Sequence, residues 1–202
     1  MWVSMRRARF RVRNTLMFVA VVALALLGVS STWCPAEPVS AVDLDGHPVD
    51  PLKLAAGKIV VLIFVRTDCP VANRYAPTIQ RLSAVYDGKA AFWLVYPSKR
   101  ESAEQIRKHQ REYGYKIPAL RDLGRELVKA SEAQVTPEAA VFDASQKLVY
   151  HGRIDDLYVD MTKQRSAPTT HDLNDAIQAA ISGNNLGAEA KPAVGCYVSD
   201  LE

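Results

Sequence analysis

Residues 59–65, Ile-Val-Val-Leu-Ile-Phe-Val, contain no polar break. A strand with one face in water alternates apolar and polar side chains, so an unbroken run marks a strand buried on both faces of a parallel or mixed sheet. Cys69 follows after a short loop, with Pro70 directly behind it. Proline suits the first position of a helix, where its missing N–H had no partner to lose. In the segment 71–86, Ala72, Tyr75, Ala76, Ile79, Leu82, Val85 and Tyr86 recur at spacings of three and four, which predicts a helix containing Pro77. Cys69 therefore stands at a helix N-terminus, where the dipole and the free N–H groups favour a thiolate.

The remaining chain alternates strands and helices. Residues 39–44 and 47–49 around Asp45-Gly46 read as a small hairpin, and 52–57 as a short turn or helix. Residues 90–96 form a second apolar strand. Ser102 with Gln105 is a capping-box pair opening a helix through Tyr113, closed by Gly114. An extended piece at 117–120 precedes a helix over 123–131 with Asp122 as its cap. Two strands, 138–142 and 147–150, form a hairpin, and Thr170 caps a last helix over 172–182 that ends at Gly183. This order predicts an α/β domain.

Charge is unevenly placed. The first 31 residues carry five arginines and no acid, then the apolar stretch 16–29, then small residues. This is the pattern of a secretory signal, with an uncleaved membrane anchor as the alternative; either puts the rest of the chain outside the cytoplasm, in the periplasm or its equivalent. Without those arginines 20 basic residues face 22 acidic ones, which gives no support to a nucleic-acid partner. About 170 residues remain, enough for one domain over 39–183 followed by a tail over 184–202. The four histidines show no ligand spacing, and there is no phosphate-cradling Gly loop, serine triad or paired-carboxylate motif, so neither a metal nor another cofactor is expected.

The strand, the Cys69-Pro70 step and Pro77 eight positions after the cysteine resemble the active-site strand and helix of thioredoxin-fold proteins. The resemblance is to the redoxins: exported, TlpA-type thiol–disulfide oxidoreductases and their peroxiredoxin relatives. It implies a thioredoxin-like fold, a central mixed sheet flanked by helices, with an N-terminal hairpin. Val135-Thr136-Pro137 resembles the segment that holds a cis-proline facing the cysteine, so Thr136 and Pro137, with Pro70, are expected to hold the substrate backbone. Two departures stand out. The second cysteine of the oxidoreductase motif is replaced by Ala72, and Thr67 lies two rather than three residues before the cysteine, unlike the peroxiredoxin pattern.

The tail, Pro192 to Val198, is short, apolar and Cys-bearing after a polar linker at 184–190, which suggests a segment that docks back on the domain. It resembles the Gly-Cys ending of a redoxin subgroup, and this resemblance implies Cys196 as the resolving thiol for Cys69. Outside the cytoplasm two of the three cysteines, Cys34, Cys69 and Cys196, are expected to pair. A structural staple between Cys69 and Cys196 and a redox-active pair both remain open, and Cys34 is expected to take no part in the chemistry. Arg74 is the expected tuner of the thiol, with Arg66 as surface charge. The expected activity is thiol–disulfide exchange with a protein or small-molecule disulfide and an external thiol reductant. The alternatives are a thiol peroxidase and a non-catalytic binding module.

Overall fold

The computed structural model describes residues 41–55, 57–184 and 189–198. Strands β1 (Ala41–Val42) and β2 (Pro48–Val49) form the expected hairpin. Its turn is tied by the Asp43 carboxylate, which accepts the N–H groups of Asp45 and His47. The short helix α1 (Pro51–Leu54) starts on Asp50, whose carboxylate accepts from Leu52 and Lys53. Then come β3 (Ile59–Phe64), α2 (Pro70–Val85), β4 (Ala90–Tyr96), α3 (Ala103–Glu112), β5 (Ala119–Arg121) and α4 (Glu126–Ala130). The chain continues through β6 (Val135–Thr136), β7 (Glu138–Phe142), β8 (Leu148–Gly152), α5 (Asp172–Ile181), β9 (Glu189–Lys191) and β10 (Cys196–Tyr197).

One mixed sheet has the order β2-β1-β5-β4-β3-β7-β8-β9, and β10 pairs separately with β6. The apolar run is its centre: β3 runs parallel to β4, with Leu62 opposite Trp93, and antiparallel to β7, with Leu62 opposite Ala140. Successive side chains of a strand point to opposite faces. Val61, Ile63 and Val65 accordingly pack with Ile79 of α2, Ile106 of α3 and Leu173 and Ile177 of α5. Val60, Leu62 and Phe64 pack on the other side with Leu52 and Leu127. Val60 to Val65 are at most 1% exposed. Each such side chain contributes about 1.5–3 kcal/mol over its exposed state, so the strand cannot shift register without losing both layers. This is the α/β, thioredoxin-like arrangement that the Cys69 motif implied.

Two caps differ from expectation. The helix after Asp122 begins later, behind Arg125 in the left-handed region (φ 58°). Asp122 still serves it, accepting the N–H groups of Glu126 and Val128 at 2.9 Å each, but from three residues before the cap position. Thr170 does not cap α5: its hydroxyl donates to the Asp172 carboxylate, and His171 is the cap residue without a side-chain bond. Asp172 is held there by Arg153 at 2.7 Å, an interaction remote in sequence. The linker expected over 184–190 is shorter, because Glu189 and Ala190 already belong to β9, parallel to β8. No helix among the described residues is long and apolar enough to cross a membrane. The stretch 1–31 and Cys34 lie outside the described residues.

Candidate functional site

Cys69 is the N-cap residue of α2, with extended backbone (φ −86°, ψ 110°), and its carbonyl accepts the first helical bond from Asn73. Pro70 follows as the exposed first helical residue. The loop between β3 and the cysteine is fixed from three sides. Thr67 N–H donates to Glu101 Oε1 at 2.7 Å, the Asn73 amide donates to the Thr67 carbonyl at 3.0 Å, and Arg66 makes a two-pronged bond to Asp68 at 2.9 Å. Cys69 itself is 0% exposed.

Its sulfur meets the segment at the start of β7. The Thr136–Pro137 peptide bond is cis, and Cys69 Sγ donates to the Thr136 carbonyl at 3.0 Å. The tail lies along the same segment. Strand β10 is antiparallel to β6, with Cys196 opposite Thr136 and Tyr197 opposite Val135. Val198 N–H donates to the Gln134 carbonyl at 2.8 Å, and its side chain is buried with Leu127 and Phe142. This register brings Cys196 Sγ to 3.1 Å from Cys69 Sγ, both as free thiols. The S–H groups thus form a chain from Cys196 to Cys69 to the Thr136 carbonyl. A disulfide requires the sulfurs to close to about 2.0 Å, a movement of about 1 Å. Thr136 and Pro137 were expected to face an extended substrate chain; here they face the protein's own tail.

Burial, the hydrogen bond to Cys69 and the negative charge of an ionised Cys69 together push the Cys196 thiol up to about 11. Arg66 pulls against this shift and Asp68 adds to it. Arg74, the expected tuner, lies exposed on α2 beside a surface depression lined by Pro70, Asn73 and Tyr113. The guanidinium felt at Cys196 belongs to Arg66. Ala72, at the position of the missing motif cysteine, is 1% exposed and packs into the core.

Sequence reasoning did not single out the polar support beneath the site. His109 Nε2 lies 2.8 Å from Asn73 Oδ1 and Nδ1 lies 2.9 Å from the Tyr96 hydroxyl. The Asn73 amide nitrogen is committed to Thr67, so Nε2 carries the proton and Tyr96 donates to Nδ1. Burial lowers the His109 pKa, which keeps the ring in this neutral form. The only signal for it was the three-residue spacing from Ile106 on one helix face. Glu101 is 7% exposed, its pKa is raised by burial, and its Oε2 has no hydrogen-bond partner. On the opposite wall Tyr75 donates to Asp155 at 2.6 Å, and Ala193 and Val194 of the tail line a crevice with Tyr75 and Pro137. Among the described residues no three His, Cys, Asp or Glu side chains are grouped to hold a metal ion.

Residues 34–159 match the family described as Redoxin. No curated protein sequence matches the chain. Among solved structures, an uncharacterized conserved protein from Geobacillus kaustophilus is 26% identical, with a TM-score of 0.67 over 81% of this chain and 88% of that one. A secreted Mycobacterium tuberculosis disulfide oxidoreductase homologous to E. coli DsbE is 19% identical (TM-score 0.52, 69% of this chain and 94% of that one). A thiol:disulfide interchange protein of the thioredoxin family from Chlorobium tepidum is 17% identical (TM-score 0.51, 70% and 92%). The last two bear on the fold.

Proposed function

The chain belongs to the Redoxin family, and on that premise we propose that it is a thiol–disulfide oxidoreductase whose redox pair is Cys69 and Cys196. The observation that supports this most is the 3.1 Å contact between the two sulfurs. The tail supplies the second thiol that Ala72 does not, which favours turnover over the binding-module reading. In this reading the Cys69 thiolate attacks one sulfur of a substrate disulfide and the other leaves as a thiolate. Cys196 then gives up its proton and attacks Cys69, releasing the substrate's remaining thiolate and leaving a Cys69–Cys196 disulfide. An external thiol reductant returns two electrons and closes the cycle. The arginine-rich and then apolar residues 1–31 support an extracytoplasmic setting for this chemistry.

The complete burial of Cys69 favours, as a second reading, a small oxidant such as a hydroperoxide. Attack there gives a sulfenic acid and an alcohol or water, and Cys196 condenses with the sulfenic acid to the same disulfide, releasing water. A non-reducing peptide map of the protein, taken after exposure to a disulfide or to hydrogen peroxide, tests both. A Cys69–Cys196 cross-link that dithiothreitol removes, and that is absent from Cys69→Ser, supports the redox pair; the faster oxidant tells the substrate class. Two thiols that stay free under both oxidants would leave the binding-module reading.

A further inference from the structure

On the reading that Cys69 is the nucleophile, we propose that His109 is its positioning residue: from helix α3 it fixes the Asn73 amide, and through that amide the turn that sets Cys69 at the start of α2. Thr67, two residues before Cys69, is gripped at both ends of its backbone. Its N–H donates to Glu101 Oε1 at 2.7 Å, and its carbonyl accepts the Asn73 amide at 3.0 Å. Asn73 grips the same turn a second time, because its backbone N–H donates to the Cys69 carbonyl at 3.0 Å. The Arg66–Asp68 pair ties the loop to itself, and its Asp68 side chain is 67% exposed, so it contributes little to holding the turn in place.

A side-chain amide can turn end for end, and its partners decide which way it points. Asn73 Oδ1 faces His109 Nε2 at 2.8 Å, and the Tyr96 hydroxyl lies 2.9 Å from Nδ1. With the proton on Nε2, the bonds run in one direction, from Tyr96 O–H to His109, to Asn73, to the Thr67 carbonyl. Turned round, Asn73 would set its oxygen against that carbonyl and its N–H groups against the Nε2 proton, two repulsions in place of two bonds. The imidazole is held against swinging. It is 3% exposed and enclosed by three tyrosine rings, Tyr113 with centroids 4.7 Å apart and Tyr96 and Tyr115 at 5.8 Å each. Without the His109 N–H the amide loses its lock, and the Thr67 carbonyl and the thiol beyond it lose a fixed place. A misplacement of about 1 Å at a reacting atom costs up to about a hundredfold in rate.

The test uses the reduced full chain carrying Cys34→Ser and Cys196→Ser, in which Cys69 is the only thiol left. It is mixed with dithiobis(nitrobenzoate): the Cys69 thiolate attacks one sulfur of the reagent, forms a mixed disulfide and expels one coloured nitrothiobenzoate. His109→Phe, which keeps a ring among the tyrosines, should slow this second-order reaction roughly tenfold, and Asn73→Ala should slow it as much. The double variant should be no slower than either single one, since the two residues act in one string. His109→Gln, whose amide can donate near the Nε2 position, should keep the rate within about threefold of the parent chain. Circular dichroism fixes the folded fraction of each variant, and Asn73→Ala against His109→Gln carries the comparison should His109→Phe not fold. A parent rate or a faster one in His109→Phe or Asn73→Ala overturns the assignment. So do losses that multiply in the double variant, or a Gln variant as slow as Asn73→Ala. No release from the parent chain withdraws Cys69 as the nucleophile, and with it the redox-pair reading, a result distinct from the others.

Discussion

Gly195 lies so close to Thr136 that a Cβ built on it would stand 2.1 Å from the Thr136 carbonyl oxygen. That oxygen is backbone, and it is the one that accepts the Cys69 thiol, so it has no freedom to yield. Overpacking of this kind costs about 1–3 kcal/mol, and each 1.4 kcal/mol changes a population about tenfold. In Gly195→Ala the tail strand should lose its seat, and alkylation of Cys69 by iodoacetamide in the reduced protein should rise by roughly tenfold or more. Unchanged protection of Cys69, read by mass spectrometry, would mean that the tail is not its cover.

The Cys196 thiol offers a second measurement. Burial is the largest cause of its rise from 9.0 to about 11, the hydrogen bond and charge of Cys69 come next, and Arg66 opposes the shift while Asp68 adds to it. In wild-type reduced protein the pH profile for alkylation of Cys196 should have its midpoint near 11. In Cys69→Ala the midpoint should move down, without returning fully to the ordinary value, because burial remains. A midpoint that does not move would show that the two sulfurs do not interact.

Glu101 links stability to pH. Burial raises its carboxyl above the ordinary 4.5. A native pKa above the unfolded one means that the folded protein holds this proton more tightly. The associated stability is full below about 4.5 and is lost as the pH rises through the native value. Glu101→Gln keeps an acceptor for Thr67 N–H and removes the titration. Measured by urea unfolding, the variant should gain on wild type between pH 4.5 and neutrality; a constant difference over that range would contradict the role of burial.

Asp122 holds two helical N–H groups from a position with 0% exposure. Asp122→Ala leaves both without partners and should cost about 1–3 kcal/mol in a denaturant titration. Asp122→Asn, which keeps one acceptor, should cost less. Equal losses in the two variants would point to packing rather than capping.

What the sequence disclosed follows from what is local. The central strand and the helix behind it could be read because burial on both faces writes an unbroken apolar run, and Pro70 marks the helix start. The cis bond at Pro137 and the docking of the tail were legible as a motif and as a segment. The pairing of Cys196 with Thr136 was not, since nothing near Cys196 encodes which strand edge it meets. Arg74 and Arg66 are placed differently by the fold. Five residues beyond Cys69 at about 100° each bring a side chain about 140° around the axis, away from the thiol. Arg66, in the loop, escapes that constraint. Thr170 was misread because Arg153 engages the adjacent Asp172. Glu101 and His109 reach the site only through the fold, and no pattern in the chain announces them.

A thiol pair within one helical turn closes a ring of a few residues. Cys69 and Cys196 are 127 positions apart. A bond between them would turn most of the domain into one covalent loop, and on the chain-entropy account a loop of that length withdraws of order 4 to 5 kcal/mol from the unfolded state. Closing the thermodynamic cycle, folding would favour the bond by the same amount that the bond favours folding. Each reduction would then slacken the whole domain together with its active end, so that a melting temperature would read the oxidation state of the pair.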